Sequence, residues 1–232
     1  MRRVLLFLFS HRLLALARWE IHFILVRLRN VLTCSDASLR RLVASKTPIF
    51  VNLGSGPRGI NDPRWVNVDG YLDKGVQFLL DFTRPLPFVD GSLDGVFCEH
   101  VFEHFSQDEG ARLAREIRRC LRPDGVLRIV VPDAERIMQA YFENPGQLAC
   151  RRDAHTAMEA VNSYFRQRYE HHFLYDWTTL RSMLEQVGFA TVVRSEYSIG
   201  RLSNDIVLDD PKYEWESLYV EAKADPPVEP MA

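Results

Sequence analysis

From residue 48 onward the chain alternates short apolar runs with longer stretches in which apolar residues recur every three or four positions. "PIFVNLG" (48–54) reads as a buried strand stopped by glycine, and "WVNVD" (65–69) as a second ending in an acid. "VQFLLD" (76–81) is a third, and "SLDGVFCEH" (92–100) holds a fourth. Between 107 and 121, Leu113, Ile117, Cys120 and Leu121 share one face, which predicts a helix. "RPDG" (122–125) then reads as a turn and "VLRIVVP" (126–132) as a fifth strand. The segment 134–170 is polar and helical, with a break at "ENPG" (143–146), and is expected to form an insertion over the ligand edge of the sheet. "DWTTLRSMLEQVGF" (176–189) predicts a helix that Asp176 caps and Gly188 stops. Closing strands follow at 190–197 and 217–224, and "DPPVEPMA" (225–232) is an expected disordered tail. Such alternation predicts a parallel sheet with helices on both faces.

Residues 1–46 stand apart as a basic, apolar helical segment ahead of a domain at 47–224. The opening "MRR" and the "ALA" at 15–17 mimic a signal peptide, but His11 and Arg12 lie inside the apolar part, so secretion is not expected. The charge-free runs are well short of the roughly 20 residues that span a bilayer. On a helix, Arg3, His11, Arg18, His22 and Arg29 fall near one stripe and leave a broad apolar face, interrupted by Arg12, Glu20 and Arg27. That face is expected to pack on its own domain or on a second copy in a homodimer. The other reading is peripheral contact of residues 1–32 with an anionic membrane at its inner face.

Charge sharpens this division. Residues 1–46 carry a balance of +7 and the remainder −9, within a formal net charge of −2. An acidic main domain lacks the basic footprint that nucleic acid requires, so no nucleic-acid partner is expected. The four cysteines, Cys34, Cys98, Cys120 and Cys150, are widely spaced and read as reduced thiols of a cytoplasmic protein.

The candidate chemistry begins at "VNLGSGPRG" (51–59), where Gly54, Gly56 and Gly59 spell G-x-G-x-x-G. A dinucleotide site needs the third glycine to open a helix whose N-terminus holds the pyrophosphate. Only "INDPRWVNV" separates Gly59 from Asp69, and no helix fits in it. An NAD site is therefore excluded. What survives is Gly54-Ser55-Gly56 after the first strand, Asp69 after the second, and Asp81 with Phe82 after the third. Glycines admit a ligand close to the backbone, a strand-end acid accepts ribose hydroxyls, and an aromatic ring offers a face to a base. The layout suits a nucleoside without phosphates.

The run "VNLGSGP…WVNVDG…LLDFTRPLPFVDGSLDGVFCEHVFEHF…EIRRCLRPDGVLRIVVPD" resembles class I S-adenosylmethionine-dependent methyltransferases, and more narrowly those associated with glycan biosynthesis. The likeness is strong over 48–133 and extends through "HHFLYDWTTLRSMLEQVGF" (171–189) to "SLYVEA" (217–222). It implies an α/β, Rossmann-like doubly wound sheet, mostly parallel with an antiparallel closing strand, preceded here by the N-terminal helix. It implies S-adenosylmethionine as cofactor, with Gly54, Ser55 and Gly56 against its methionine and ribose portions. Asp69 would then bind the ribose hydroxyls, Asp81 and Phe82 the adenine, and Cys98, Glu99 and His100 would lie near the sulfonium. Asn52, counted among the cofactor-binding residues, stands where the family usually has an acid, and Arg58 where a third glycine is common. The cofactor's carboxylate contacts then fall to other groups, Arg58 among them.

Methyl transfer to an oxygen benefits from a general base, for which His100 is the first candidate and His171 the second. The acceptor implied by the resemblance is a hydroxyl of a sugar or another small molecule. Tyr175, Glu196 and Tyr197 are further candidates for the acceptor side. "HVFEH" (100–104) also matches H-x-x-E-H, a zinc-peptidase signature, but metal binding in that way needs both histidines one turn apart on a helix. His100 directly follows a strand end, so no metal is expected, and Glu103 and His104 are read as loop-orienting residues. The remaining alternative is a cofactor-binding scaffold without turnover.

Overall fold

A computed structural model describes residues 11–167 and 170–224. The first ten residues and the tail at 225–232 lie outside that range. Seven strands form one sheet: β1 (Phe50–Leu53), β2 (Trp65–Asp69), β3 (Phe78–Leu79), β4 (Leu93–Glu99), β5 (Leu121–Pro132), β6 (Thr191–Ser195) and β7 (Ser217–Lys223). Their order is β3-β2-β1-β4-β5-β7-β6, with β7 antiparallel to both neighbours and the other pairs parallel. β1 is flanked by β2 and β4, so the strand order reverses beside it. Open sheets bind ligands outside the carboxyl ends of the strands at such a point.

All four β1 residues are buried, as expected of a central parallel strand. Its pleat sends Val51 and Leu53 to one face and Phe50 to the other. On the first face Val51, Leu53, Val68, Val96 and Ile129 pack with Leu113 and Ile117 of α3 (Gln107–Cys120) and with Leu180 and Leu184 of α7 (Trp177–Gln186). The other face departs from the expected second helical layer. Phe50, Trp65, Phe97, Val130 and Tyr219 meet Ile206, Leu202 and Leu208 from the β6–β7 connection. The short β1–β2 connection supplies no helix to cover them.

Local signals set the helix ends. Ser106 and Glu109 form a reciprocal capping box at the start of α3, and Thr156 and Glu159 repeat it at α6 (Ala157–Arg166). Asp176 Oδ1 accepts the Thr179 amide at 2.7 Å, and Gly188, at φ +101°, ends the turn after α7. The insertion holds α4 (Ala134–Glu143), α5 (Pro145–Arg151) and α6, which share a small core of Ile137, Leu148, Val161 and Tyr164. The predicted third strand shrinks to two paired residues. The predicted turn at 122–125 lies within β5, because Leu121 already pairs with Leu93 across a register shift.

The N-terminal segment is two helices, α1 (His11–Leu32) and α2 (Ser35–Ala44), separated where Cys34 takes a left-handed conformation. α2 sinks Leu39 and Val43 into the main core. α1 docks the other way round from the expectation that its apolar face would cover its own domain. Phe23, Val26 and Asn30 face inward, whereas Ile21, Ile24, Leu25, Leu28, Val31 and Leu32 are exposed.

Candidate functional site

Leaving β1, the chain passes through Gly54 at φ +81° and Gly56 at φ +47°, a region that favours glycine. The Gly54 and Ser55 amides donate to Val68 O at 2.8 and 3.1 Å, which lays the turn across the end of β2. A Cβ on Gly54 would run into the Val101 side chain, so this turn touches the loop that follows β4. Gly56 has open space where a Cβ would point, and its amide donates to Asp69 Oδ2 at 2.8 Å. Gly59, the third glycine of the fingerprint, packs against the Gly75 main chain. Its role is loop contact, and no helix lies between β1 and β2 among the described residues.

Asp69 Oδ1 accepts the Tyr71 amide at 2.9 Å, so each carboxylate oxygen holds one main-chain donor and keeps further acceptor capacity. Asp81 Oδ1 accepts from Thr83 through its amide (3.0 Å) and hydroxyl (2.6 Å), while Oδ2 lies 3.2 Å from Arg27 of α1. α1 is fixed over these strand ends by two more bonds, Asn30 Nδ2 to Leu79 O at 2.7 Å and His22 Nε2 to Gly70 O at 2.8 Å. The His22 ring stacks on Tyr71 at 4.4 Å. These α1 contacts carried no signal in the sequence beyond the segment's helical pattern.

Three sequence-level candidates are turned into the interior. Asn52 spends its carboxamide on Asn67 Oδ1 (3.2 Å) and Arg58 O (3.4 Å), bracing β1 against β2. Phe82 packs in the main core. Cys98 is fully buried, and that burial pushes its thiol well above the ordinary range. Arg58 is also engaged: it pairs with Glu99 (2.8 Å) and Asp210 (2.6 Å) and donates to Leu208 O at 2.9 Å. Glu99 accepts the Asp210 amide as well, yet burial outweighs these partners and raises its pKa.

His100 follows directly at φ +53°, a strained conformation for a residue with a Cβ. Its Nδ1 sits 2.9 Å from Glu103 Oε1, its Nε2 3.1 Å from Ser217 Oγ, and its ring lies 4.0 Å from that of Tyr213. Burial alone would lower the His100 pKa; the Glu103 charge and hydrogen bond, together with the Glu216 and Glu99 charges, outweigh it and raise it. Burial likewise opposes ionisation of Glu103, but His100 holds that carboxyl below its usual range. With Nδ1–H on the carboxylate, Nε2 is left as the basic nitrogen.

His171 reaches the same carboxylate neighbourhood from the segment after the insertion. Its Nδ1 donates to Tyr164 O at 2.6 Å, and burial lowers its pKa. His104 Nδ1 donates to Glu170 O at 3.1 Å, and the His104 and His171 rings stand edge to face at 5.0 Å. Glu103, read from the sequence as a loop residue, is thus the fully buried acid around which three histidines gather. Tyr175 is buried against Met183 and Phe173 and does not line the cleft between the insertion and the β6–β7 connection.

A cleft of about 680 Å³ opens between the insertion and the β6–β7 connection. Glu196 and Tyr197 line it, together with Arg136, Arg151, Lys212 and Trp215. Ser217 lines it too, which connects the cleft to His100 Nε2.

This strand order, with an antiparallel β7 and a glycine turn at the switch point, defines the class I S-adenosylmethionine-dependent methyltransferase fold. Residues 66–129 match the family model described as a methyltransferase domain, and the chain is a methyl-transferring enzyme that uses S-adenosylmethionine. Among solved structures, a complex between the Haloferax volcanii Trm112 methyltransferase activator and a methyltransferase is similar at 15% identity and a TM-score of 0.50, covering 83% of this chain and 90% of that one. A methyltransferase from Thermotoga maritima aligns at 18% identity over 88% of this chain and 96% of that one, with a TM-score of 0.47. One from Archaeoglobus fulgidus aligns at 16% identity over 82% and 93%, with a TM-score of 0.46. No curated protein matches the chain.

The residues present fit this cofactor. Ser55 Oγ is buried in the glycine turn without a hydrogen-bond partner, Gly56 faces open space, and Asp69 has acceptor capacity to spare. A buried hydroxyl left alone costs about 1–3 kcal/mol, which a bound polar ligand would recover.

Proposed function

We propose that this methyltransferase acts on a hydroxyl of a sugar or another small molecule that enters the cleft beside Ser217. The observation that carries the reading is the His100 imidazole. Glu103 holds its Nδ1, and its Nε2 lies 3.1 Å from Ser217 Oγ at the edge of the cleft. Bound S-adenosylmethionine supplies a methyl group made electrophilic by its sulfonium. Gly54, Ser55 and Gly56 let the ligand approach the main chain, Asp69 accepts the ribose hydroxyls, and Asp81 and Glu99 take polar contacts at either end of the site. His100 Nε2 removes the acceptor proton, and Glu103 stabilises the imidazolium that results. His171 is a positioning residue, packed against the His104 ring. The sugar acceptor is supported by the resemblance to glycan-associated methyltransferases, and by a cleft that is polar and cationic.

The test is calorimetric titration with S-adenosylmethionine, with NAD as control, followed by transfer assays on sugar acceptors with wild type and His100→Ala. Transfer by wild type that His100→Ala loses, with cofactor binding kept in both, supports the reading. Cofactor binding without transfer to any acceptor favours the non-catalytic scaffold.

We further infer a cytoplasmic protein that rests on an anionic membrane through α1. Among the described residues no helix is long and apolar enough to cross a membrane. The exposed Ile21, Ile24, Leu25, Leu28, Val31 and Leu32 nonetheless recur at helical spacing along one face, with Arg18 and Arg29 beside it. Co-sedimentation with anionic vesicles tests this, and a homodimer built on the same face is the competing outcome.

A further inference from the structure

We propose that Glu103, His104 and His171 form a binding site for one divalent transition-metal ion of the zinc class. One ligand atom from each residue lies within 4.8 Å of those from the other two. This set differs from the H-x-x-E-H reading of the sequence, which paired His100 with His104 on one helix. His100 is in a left-handed turn outside the short helical turn Phe102–His104, so that pairing is not built. The third ligand comes instead from 67 residues further along the chain, a juxtaposition only the fold reveals.

Two independent features mark the cluster as built for a cation. Glu103 is fully buried; His100 Nδ1 meets Oε1 at 2.9 Å, and Oε2 has no hydrogen-bond partner. A buried carboxylate oxygen left without a donor is costly unless a cation is brought to it. Both histidines also donate Nδ1–H to main-chain carbonyls, Tyr164 O and Glu170 O. That outer contact fixes the tautomer with the Nε2 lone pair free, as metal-ligating histidines have it. Two imidazoles and one carboxylate suit zinc, iron(II) or cobalt(II) over magnesium or calcium, which prefer all-oxygen ligands. His104 is only half-buried, which gives the ion a route in. Three protein ligands leave at least one coordination position for water or an acceptor oxygen.

The experiment uses full-length protein stripped with a chelator, then titrated with Zn²⁺ and with Co²⁺. Retention of one equivalent of zinc after gel filtration, and visible d–d bands from cobalt, are the expected results. Glu103→Gln, which keeps the side-chain shape, and His104→Ala, at a half-buried position, should each weaken binding by at least about 100-fold. Circular dichroism confirms that each is folded, and Mg²⁺ should not compete. A Cys34→Ser/Cys150→Ser variant should bind as wild type does, since these two exposed thiols are the other accessible soft ligands. Sub-stoichiometric zinc in wild type, or unchanged affinity in both ligand variants, overturns the site. Metal binding does not depend on the methyl-transfer reading. Loss of zinc with S-adenosylmethionine binding intact removes this site alone, and the reverse pattern removes only the transferase assignment.

Discussion

Asp69 divides its carboxylate between the Gly56 and Tyr71 amides, and so holds the glycine turn and the outer loop together as well as facing the ligand edge. Asp69→Ala is therefore expected to cost S-adenosylmethionine binding about 2 kcal/mol, a factor of roughly 30, as a charged acceptor is lost. Calorimetry reads it directly, and unchanged affinity would remove Asp69 from the site. Arg128 behaves differently. It is fully buried in β5, where Asp209 and Glu221 both pair with it and its Nε–Asp209 Oδ1 bond is 2.8 Å. It also donates to Ile199 O and Glu196 O, so it pins the β6–β7 connection that closes the second face of the sheet. Arg128→Met should destabilise the protein by about 3–5 kcal/mol in urea denaturation, because two buried carboxylates lose their counter-charge. A loss below 1 kcal/mol would mean those acids are not buried as ions. Gly54, Asp69 and Asp81 were legible in the sequence because strand ends and glycines mark them. Arg128 was not, since "VLRIVVP" reads as a plain buried strand and its acids lie 81 and 93 residues away. Glu103 is half-legible: the "EH" pair shows in the sequence, but the histidine contacts depend on where the insertion returns.

The elements that the sequence places well are those with local chemistry at their ends. α3 and α7 begin at Ser106 and Asp176 and fall where the periodicity puts them. Asp176→Ala should lower stability by about 1 kcal/mol, because the Thr179 amide loses its acceptor. A thermal melt that does not move would place α7's stability wholly in the packing of Leu180 and Leu184. β3 and α1 were placed less well, for the same reason: both are decided by neighbours. Only Phe78 and Leu79 pair with β2, so the apolar run at 76–81 is mostly loop. α1 has an apolar face wide enough to suggest burial, yet the contacts that hold it are a polar edge of His22, Arg27 and Asn30 on the ends of β2 and β3. Periodicity finds a face and does not say which side of the helix the domain takes.

At the scale of the whole molecule that inversion leaves an apolar helix face exposed at the basic end of the chain. Residues 1–46 carry +7 and the rest −9, so an anionic surface attracts one end of the chain and repels the remainder. The outward face of α1 would lie on such a surface, while its inward edge, through Arg27, reaches Asp81 just beyond the end of β3. Attraction of this kind combines buried apolar area with screened electrostatics, and salt weakens the second part within a Debye length of about 8 Å at physiological strength. The expected result is co-sedimentation with vesicles rich in anionic lipid, falling as salt is raised, and little binding to neutral vesicles. Ile24→Glu with Leu28→Glu should abolish it and leave S-adenosylmethionine affinity unchanged, since neither residue touches the strand ends. Salt-insensitive behaviour, with a concentration-dependent doubling of mass in sedimentation that the same double variant removes, would instead assign the face to a second copy of the chain.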